Sequence, residues 1–203
     1  MKEKIIQKAT DLFLKLGFKS VTMDDIANEM AISKKTIYTH FENKTSLVKE
    51  CTSSILTSIT TGIDEICFLE HNPIEELFEI KKFVSHKLEN DNSTTHYQLQ
   101  KYYPEVYESL KETQFDKMME CTRKNLQKGI EMGLYRKNMN VDLVARFYFV
   151  GVHGIKDQNL FPIEEFSSKF ITQEYLEYHL RGIVTIEGFQ TLNNFIKDNQ
   201  SNE

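Results

Sequence analysis

The stretch TMDDIANEMAISKKTIYTHFENK, residues 22–44, holds three helix starts in a row. Thr22 can accept from a first-turn N–H while Asp24 and Asp25 favour the positive end of a helix dipole. Ile26, Ala27 and Met30 give that helix its inner face, and the pattern breaks at Ala31-Ile32. Ser33 then caps a helix carrying Lys34 to Phe41, and Asn43 caps the next, placing Lys44 in its first turn. In the middle helix Ile37 and Phe41 are four apart and share an inward face. Lys34, Lys35, Thr36, Tyr38, Thr39 and His40 project elsewhere. A face of cations, hydroxyls, a phenol and an imidazole suits phosphates and base edges in a major groove wide enough to admit a helix.

Upstream, Ile5, Ile6, Ala9, Leu12, Phe13 and Leu16 form one helical face, which Gly17 ends as a left-handed cap, with Phe18 folding back on the last turn. Downstream, Leu47 to about Leu69 reads as a long helix with Val48, Cys51, Ile55, Leu56, Ile59, Ile63 and Ile66 spaced for burial. No flexible linker intervenes, so this helix can act as a lever between a DNA-binding part, residues 1–46, and a body, residues 47–203. Pro73 starts a helix reaching about Leu88, and the polar run Glu89 to Thr95 reads as a loop. Pro104 opens a helix ending near Gly133, and two more run from about Val141 to Asp157 and from about Gln173 to Lys197. Three prolines and eight glycines in 203 residues favour this all-α reading.

The net charge of −5 argues against indiscriminate nucleic-acid binding. Residues 1–49 nevertheless hold nine Lys and Arg against six Asp and Glu, and the remainder sixteen against twenty-four. A local basic patch on an acidic body can bind phosphate. The start lacks the apolar run of a secretion signal, and no stretch reaches the roughly 18 apolar residues of a membrane span, so a cytoplasmic protein is expected. Cys51, Cys67 and Cys121 are far apart in sequence and lack the close pairing of a zinc or dithiol motif. They read as reduced, inert thiols, and no metal or cofactor is expected.

The order of Thr22-Met-Asp-Asp-Ile-Ala, Ser33-Lys-Lys-Thr-Ile-Tyr-Thr-His-Phe, Asn43-Lys44 and Leu47 resembles the N-terminal domain of TetR family regulators, from Ile6 to about Val48. The sequence Gly-Ile-Glu-Met-Gly-Leu-Tyr-Arg, residues 129–136, is a further echo. The resemblance implies a three-helix helix-turn-helix domain followed by a larger helical bundle that binds a ligand and dimerises. It implies that Thr22 and Lys44 grip phosphates, that Tyr38 and His40 contact the DNA backbone, and that Lys34, Lys35, Thr36 and Thr39 face the bases. Lys35 stands where a small residue is commoner and Thr39 where an aromatic is, so the operator sequence is not predicted.

The middle of the chain, rich in Tyr, Phe, Met and His, suits an apolar pocket with a few polar handles, and core packing explains the same residues. Phe83, His86, Tyr103, Tyr107, Met119, Tyr148 and His153 are the candidates to meet an effector. Gly151, Gly154, Gly182 and Gly188 sit inside helices, where each costs about 1 kcal/mol relative to Ala, so something must approach the backbone closely. Packing within one subunit or across a dimer would each serve. The resemblance favours a homodimer whose last two long helices pair about a two-fold axis, with Leu180 and Ile183 beside those glycines, and therefore a palindromic operator in double-stranded DNA. It also implies a repressor released by a small-molecule effector. The alternatives are a regulator that activates transcription, a protein-interaction module and a small helical enzyme. The chain holds no HExxH, phosphate-binding glycine loop or nucleophile elbow, so it is not expected to be an enzyme.

Overall fold

A computed structural model of the chain describes residues 1–88 and 95–200, without the side chains of 199 and 200. The described residues form ten helices: α1 (Lys2–Leu16), α2 (Met23–Glu29), α3 (Lys34–Tyr38), α4 (Lys44–Cys67), α5 (Pro73–Lys87), α6 (Thr95–Tyr102), α7 (Pro104–Glu131), α8 (Val141–Gly154), α9 (Ser168–Ile183) and α10 (Ile186–Gln200). No helix among them is long and apolar enough to cross a membrane. The chain divides into two compact units, Met1–Gly62 with His86–Gln114 and Ile63–Ser85 with Phe115 onward, and α4, α5 and α7 contribute to both.

The first unit is built on α1 to α3. Ile5, Ala9, Phe13, Phe18, Ile26, Ile37, Phe41, Leu47 and Val48 pack into one core, joined by Leu99 from α6 and Val106 from α7. Gly17, at φ 86°, ends α1 by donating its N–H to the Phe13 carbonyl at 2.8 Å, a backbone angle that costs a residue without Cβ little. The turn brings the Phe18 ring to 5.1 Å from that of Phe13. The helix α6 was not expected from the sequence: Thr95 opens it instead of ending a loop, and the rest of that polar run, residues 89–94, lies outside the described residues. Toward the middle of α4 burial weakens. Val48 and Cys51 are buried, whereas Ile55, Leu56 and Ile59 are half-buried, and so are Ile63 and Ile66 in the second unit.

In the second unit Ile74, Leu77, Met119, Leu126, Tyr135, Leu176, Leu180, Ile183 and Leu192 form the core. The single helix expected from Gln173 to Lys197 is two helices. Val184 is extended, at φ −71° and ψ 153°, and forms an isolated antiparallel bridge with Tyr135. Arg136 donates its N–H to the Ile183 carbonyl and Thr185 donates to that of Leu134, both at 2.9 Å. These bonds replace a helical turn, and Thr185 Oγ1 then accepts from the Gly188 N–H at 3.1 Å to start α10. The β-branched pair Val184-Thr185 tolerates the extended backbone well.

The interior glycines divide in two. A Cβ on Gly188 would press into the Leu134 carbonyl oxygen, and one on Gly151 into the Tyr175 ring, so the close approach at both comes from within the chain. Leu180 and Ile183 are likewise buried in the chain's own core, which gives them a different role from the expected interface one. Gly154 and Gly182 face open space. Gly188→Ala is expected to destabilise the protein by about 2 kcal/mol, because backbone, unlike a flexible side chain, cannot move aside cheaply. Urea unfolding measures this, and a change below about 0.5 kcal/mol would show that α10 shifts freely.

Candidate nucleic-acid interface

The starts of α2, α3 and α4 are each fixed by a side chain. Thr22 Oγ1 accepts from the Asp25 N–H at 3.2 Å while Asp25 Oδ2 accepts from the Thr22 N–H at 2.8 Å, a reciprocal capping box. Ser33 Oγ accepts from the Thr36 N–H at 3.1 Å, and Asn43 Oδ1 from the Ser46 N–H at 2.9 Å. Between α2 and α3 the chain reverses at Ala31, whose φ of 53° lies in the left-handed region. The Ile32 N–H then reaches back to the Ala27 carbonyl at 3.0 Å, so the turn is tight and hydrogen-bonded.

The helix α3 ends at Tyr38, earlier than expected: Thr39 and His40 lie in the turn that follows, with Thr39 Oγ1 donating to the Thr36 carbonyl at 2.7 Å. Ile37 and Phe41 face the core as the spacing required. Lys34, Lys35, Tyr38, Thr39 and His40 are exposed, with Thr36 half-buried. They surround the buried Ile37 in sequence, and Tyr38 leaves 46% of its surface uncovered. Lys34 Nζ pairs with Asp24 at 2.7 Å, a bond that raises its pKa. Asp24 was read from the sequence as a dipole partner only; a contact ten residues along has no periodic signal.

Two expected phosphate ligands already have partners inside the unit. Thr22 Oγ1 also donates to Asp25 Oδ2 at 2.8 Å. Lys44 Nζ donates to the Phe18 carbonyl at 2.5 Å and lies 5.7 Å from the Phe13 ring centre and 5.9 Å from that of Tyr103. Burial lowers the pKa of Lys44, and the charge of Asp25 partly offsets this. Lys44 therefore ties the start of α4 to the end of α1.

The seven effector candidates do not fall in one unit. His86, Tyr103 and Tyr107 belong to the first, where Tyr103 packs edge-on to Phe18 at 6.3 Å and Tyr107 lies 5.2 Å from His96. Phe83, Met119, Tyr148 and His153 belong to the second. There Tyr148 stacks on Tyr175 at 5.9 Å and meets His179 at 4.5 Å, and His153 lies 4.1 Å from the Phe149 ring. Tyr175 and His179, four apart on α9, were not singled out from the sequence; that spacing was the available signal. The Tyr175 hydroxyl reaches the Phe147 and Tyr148 carbonyls at 3.0 and 3.1 Å, over the space that Gly151 leaves.

His179 is buried and its Nε2 has no hydrogen-bond partner among the described residues. Burial pushes its imidazole down to about 4 from the ordinary 6.5. The folded chain then holds it neutral while the unfolded chain takes up a proton near pH 6.5, so protonation favours unfolding. This contribution is complete above pH 6.5, declines as pH falls toward 4 and changes no further below, for a total of about 3 kcal/mol. Urea unfolding between pH 7.5 and 4.5 should therefore show a steeper loss in the wild type than in His179→Leu. Parallel profiles for the two proteins would refute it.

A family model described as bacterial regulatory proteins, tetR family, matches residues 5–51. Over 199 residues the chain is 27% identical to the HTH-type transcriptional repressor KstR2 of Mycolicibacterium smegmatis, covering 92% of each protein. Over 50 residues it is 42% identical to IcaR of Staphylococcus aureus (strain Newman), an HTH-type negative transcriptional regulator of the biofilm operon icaADBC, covering 25% of this chain and 27% of that one. Among solved structures, a TetR family transcriptional regulator from Agrobacterium tumefaciens superposes with a TM-score of 0.73 at 19% identity, covering 91% of this chain and 97% of that one.

Proposed function

We propose that the chain is a TetR family transcriptional regulator, a reading its similarity to the family model over residues 5–51 and to KstR2 over 92% of its length supports, and that it represses transcription as a homodimer on a palindromic operator and leaves it when a small molecule binds its helical body. The observation that carries the DNA reading is the exposed set of Lys34, Lys35, Tyr38, Thr39 and His40 around the buried Ile37. In this reading Lys35 and Tyr38 make the main contacts, Ser33 and Thr36 set the start of α3, and Lys34 shares its charge with Asp24. Thr22 and Lys44 position the helices and meet phosphate with their remaining hydrogen-bonding capacity. In this reading residues 1–46 are the DNA-binding part, acting on DNA in the cytoplasm. Repression follows the printed roles of KstR2 and IcaR.

The dimer has support in the second unit. Leu143, Phe147 and Val150, at helical spacing along α8, are all exposed, the last two by 62% and 63%. Tyr178 on α9 and Ile186 and Phe189 on α10 are exposed too. Exposed apolar side chains on ordered helices support an interaction surface here, and Gly154 and Gly182 leave room for close approach. A two-fold pairing of such chains would set two α3 helices on successive major grooves, which requires a palindrome. For the effector, the candidates in the second unit are Phe83, Met119, Tyr148 and His153, a mixture of apolar and polar side chains suited to a mostly apolar molecule with few polar groups.

The test is binding of the purified protein to its own upstream DNA and to scrambled DNA across a salt series, with mass measured by light scattering. Preference for the upstream DNA, affinity falling with salt, and a dimer that Phe147→Glu splits with loss of operator binding are the expected results. A monomer that binds the operator fully would remove the dimer from the reading. Failure of every compound in a ligand screen to change affinity would remove the effector.

A further inference from the structure

We propose that Cys67 and Cys121 form a redox site that a hydroperoxide converts to a disulfide, and that closing it changes the protein's affinity for DNA. The second half rests on the DNA-binding reading above; the first does not. In sequence the two cysteines are 54 residues apart, yet the last residue of α4 and the middle of α7 bring their sulfurs to 4.0 Å. A disulfide needs about 2.05 Å, so the pair must close by about 2 Å in all. Both side chains are half-buried, whereas Cys51 is sealed in the first unit with its thiol aimed at the Ile6 carbonyl and pushed up to about 12.

The pair has an attacking and a resolving member. A thiol hydrogen bond from Cys121 holds the pKa of Cys67 down, Lys128 adds to this, and burial, Glu76 and Asp64 oppose it; Cys121 is raised by the same bond. The thiolate is the nucleophile. Cys67 sulfur attacks one oxygen of the hydroperoxide, the O–O bond breaks, and the alkoxide leaves as an alcohol after taking a proton. Cys67 is then a sulfenic acid. Cys121 gives up its proton, its sulfur attacks that of Cys67, and the displaced hydroxide leaves with that proton as water. Two thiols have lost two electrons and two protons, and the hydroperoxide has become one alcohol and one water.

The helix α4 begins with Lys44, beside the DNA surface, and ends with Cys67. A disulfide to α7 fixes the last turn of this helix and so biases the conformations open to its first.

The experiment treats the full-length protein with a small excess of hydrogen peroxide, blocks remaining thiols with N-ethylmaleimide and maps peptides by mass. The expected product joins the Cys67 and Cys121 peptides within one chain, two hydrogens lighter, reversed by dithiothreitol, with Cys51 still a thiol and no link in Cys67→Ser. On the same samples operator affinity should shift at least about fivefold in the wild type, the lower end of ordinary coupling between sites, and stay unchanged in Cys67→Ser. Thiols that survive, or that link different chains, overturn the site. A closed disulfide with unchanged affinity overturns the coupling. Reduced protein without DNA preference overturns the DNA reading and the coupling with it, while the mass map still decides the disulfide.

Discussion

A Lys35→Ala, Tyr38→Ala protein is expected to bind its operator at least about a hundredfold more weakly than the unsubstituted protein while keeping its stability. On the proposed dimer each protomer would lose two contacts, so four would be removed per operator. At about 1 kcal/mol for each contact to phosphate or base edge, the sum is about 4 kcal/mol. Both side chains are exposed, so neither substitution opens a cavity, and unfolding should move by no more than about 0.5 kcal/mol. The salt series divides the roles: a Lys35 that holds phosphate lowers the salt slope by about one per protomer, whereas one that reads a base relaxes the preference for operator over scrambled DNA. Lys34→Ala should do less than Lys35→Ala, because Asp24 already neutralises Lys34. Unchanged affinity in the double variant would remove α3 from the interface.

The second large effect concerns a polar group deep in the other unit. Glu76 on α5 is buried, with 5% of its side chain exposed, and its carboxylate is met from two sides by α7. Asn125 Nδ2 donates to Glu76 Oε1 at 2.7 Å and to the Pro73 carbonyl at 2.9 Å, while the Tyr135 hydroxyl donates to Asn125 Oδ1 at 3.2 Å. Lys128 Nζ reaches Glu76 Oε2 at 3.1 Å and the His71 carbonyl at 2.6 Å. Removing the cation leaves a buried carboxylate without its charge partner, which costs more than the pair contributes when intact. Lys128→Met should lose about 3 kcal/mol, or about 6–12 °C in thermal unfolding for a chain of this length. Adding Glu76→Gln should recover much of it, since the amide keeps an acceptor for Asn125 and carries no charge. If the double variant is as unstable as the single, packing of the Lys128 stem and not the charge is responsible.

The first unit was largely legible because its signals are local. Thr22, Ser33 and Asn43 cap groups three or fewer residues away, and Ile37 and Phe41 declare an inward face by spacing alone. The short end of α3 was not legible, because Thr39 and His40 carry no helix breaker, although both lie in the turn that follows Tyr38. In the second unit the break at Val184 depends on Tyr135, about fifty residues earlier, and no periodicity within α9 or α10 announces it. The same holds for Glu76 with Lys128 and for Cys67 with Cys121, whose partners lie on another helix. Gly151 and Gly188 were correctly read as points of close approach, but what approaches them, the Tyr175 ring and the Leu134 carbonyl, is a fact of tertiary packing.

The shortness of α3 bears on how such a regulator changes its target over generations. Within that five-residue helix only Ile37 is buried; Lys35 and Tyr38 lie outside the core, and the helix's position is held by Ser33, Ala31 and the core beneath. Substitutions on its outer side should therefore disturb folding little, and under the proposed DNA reading a new operator would be acquired one residue at a time. A surface that read promoters in this way would be free to drift with them, on a scaffold that does not need to be rebuilt.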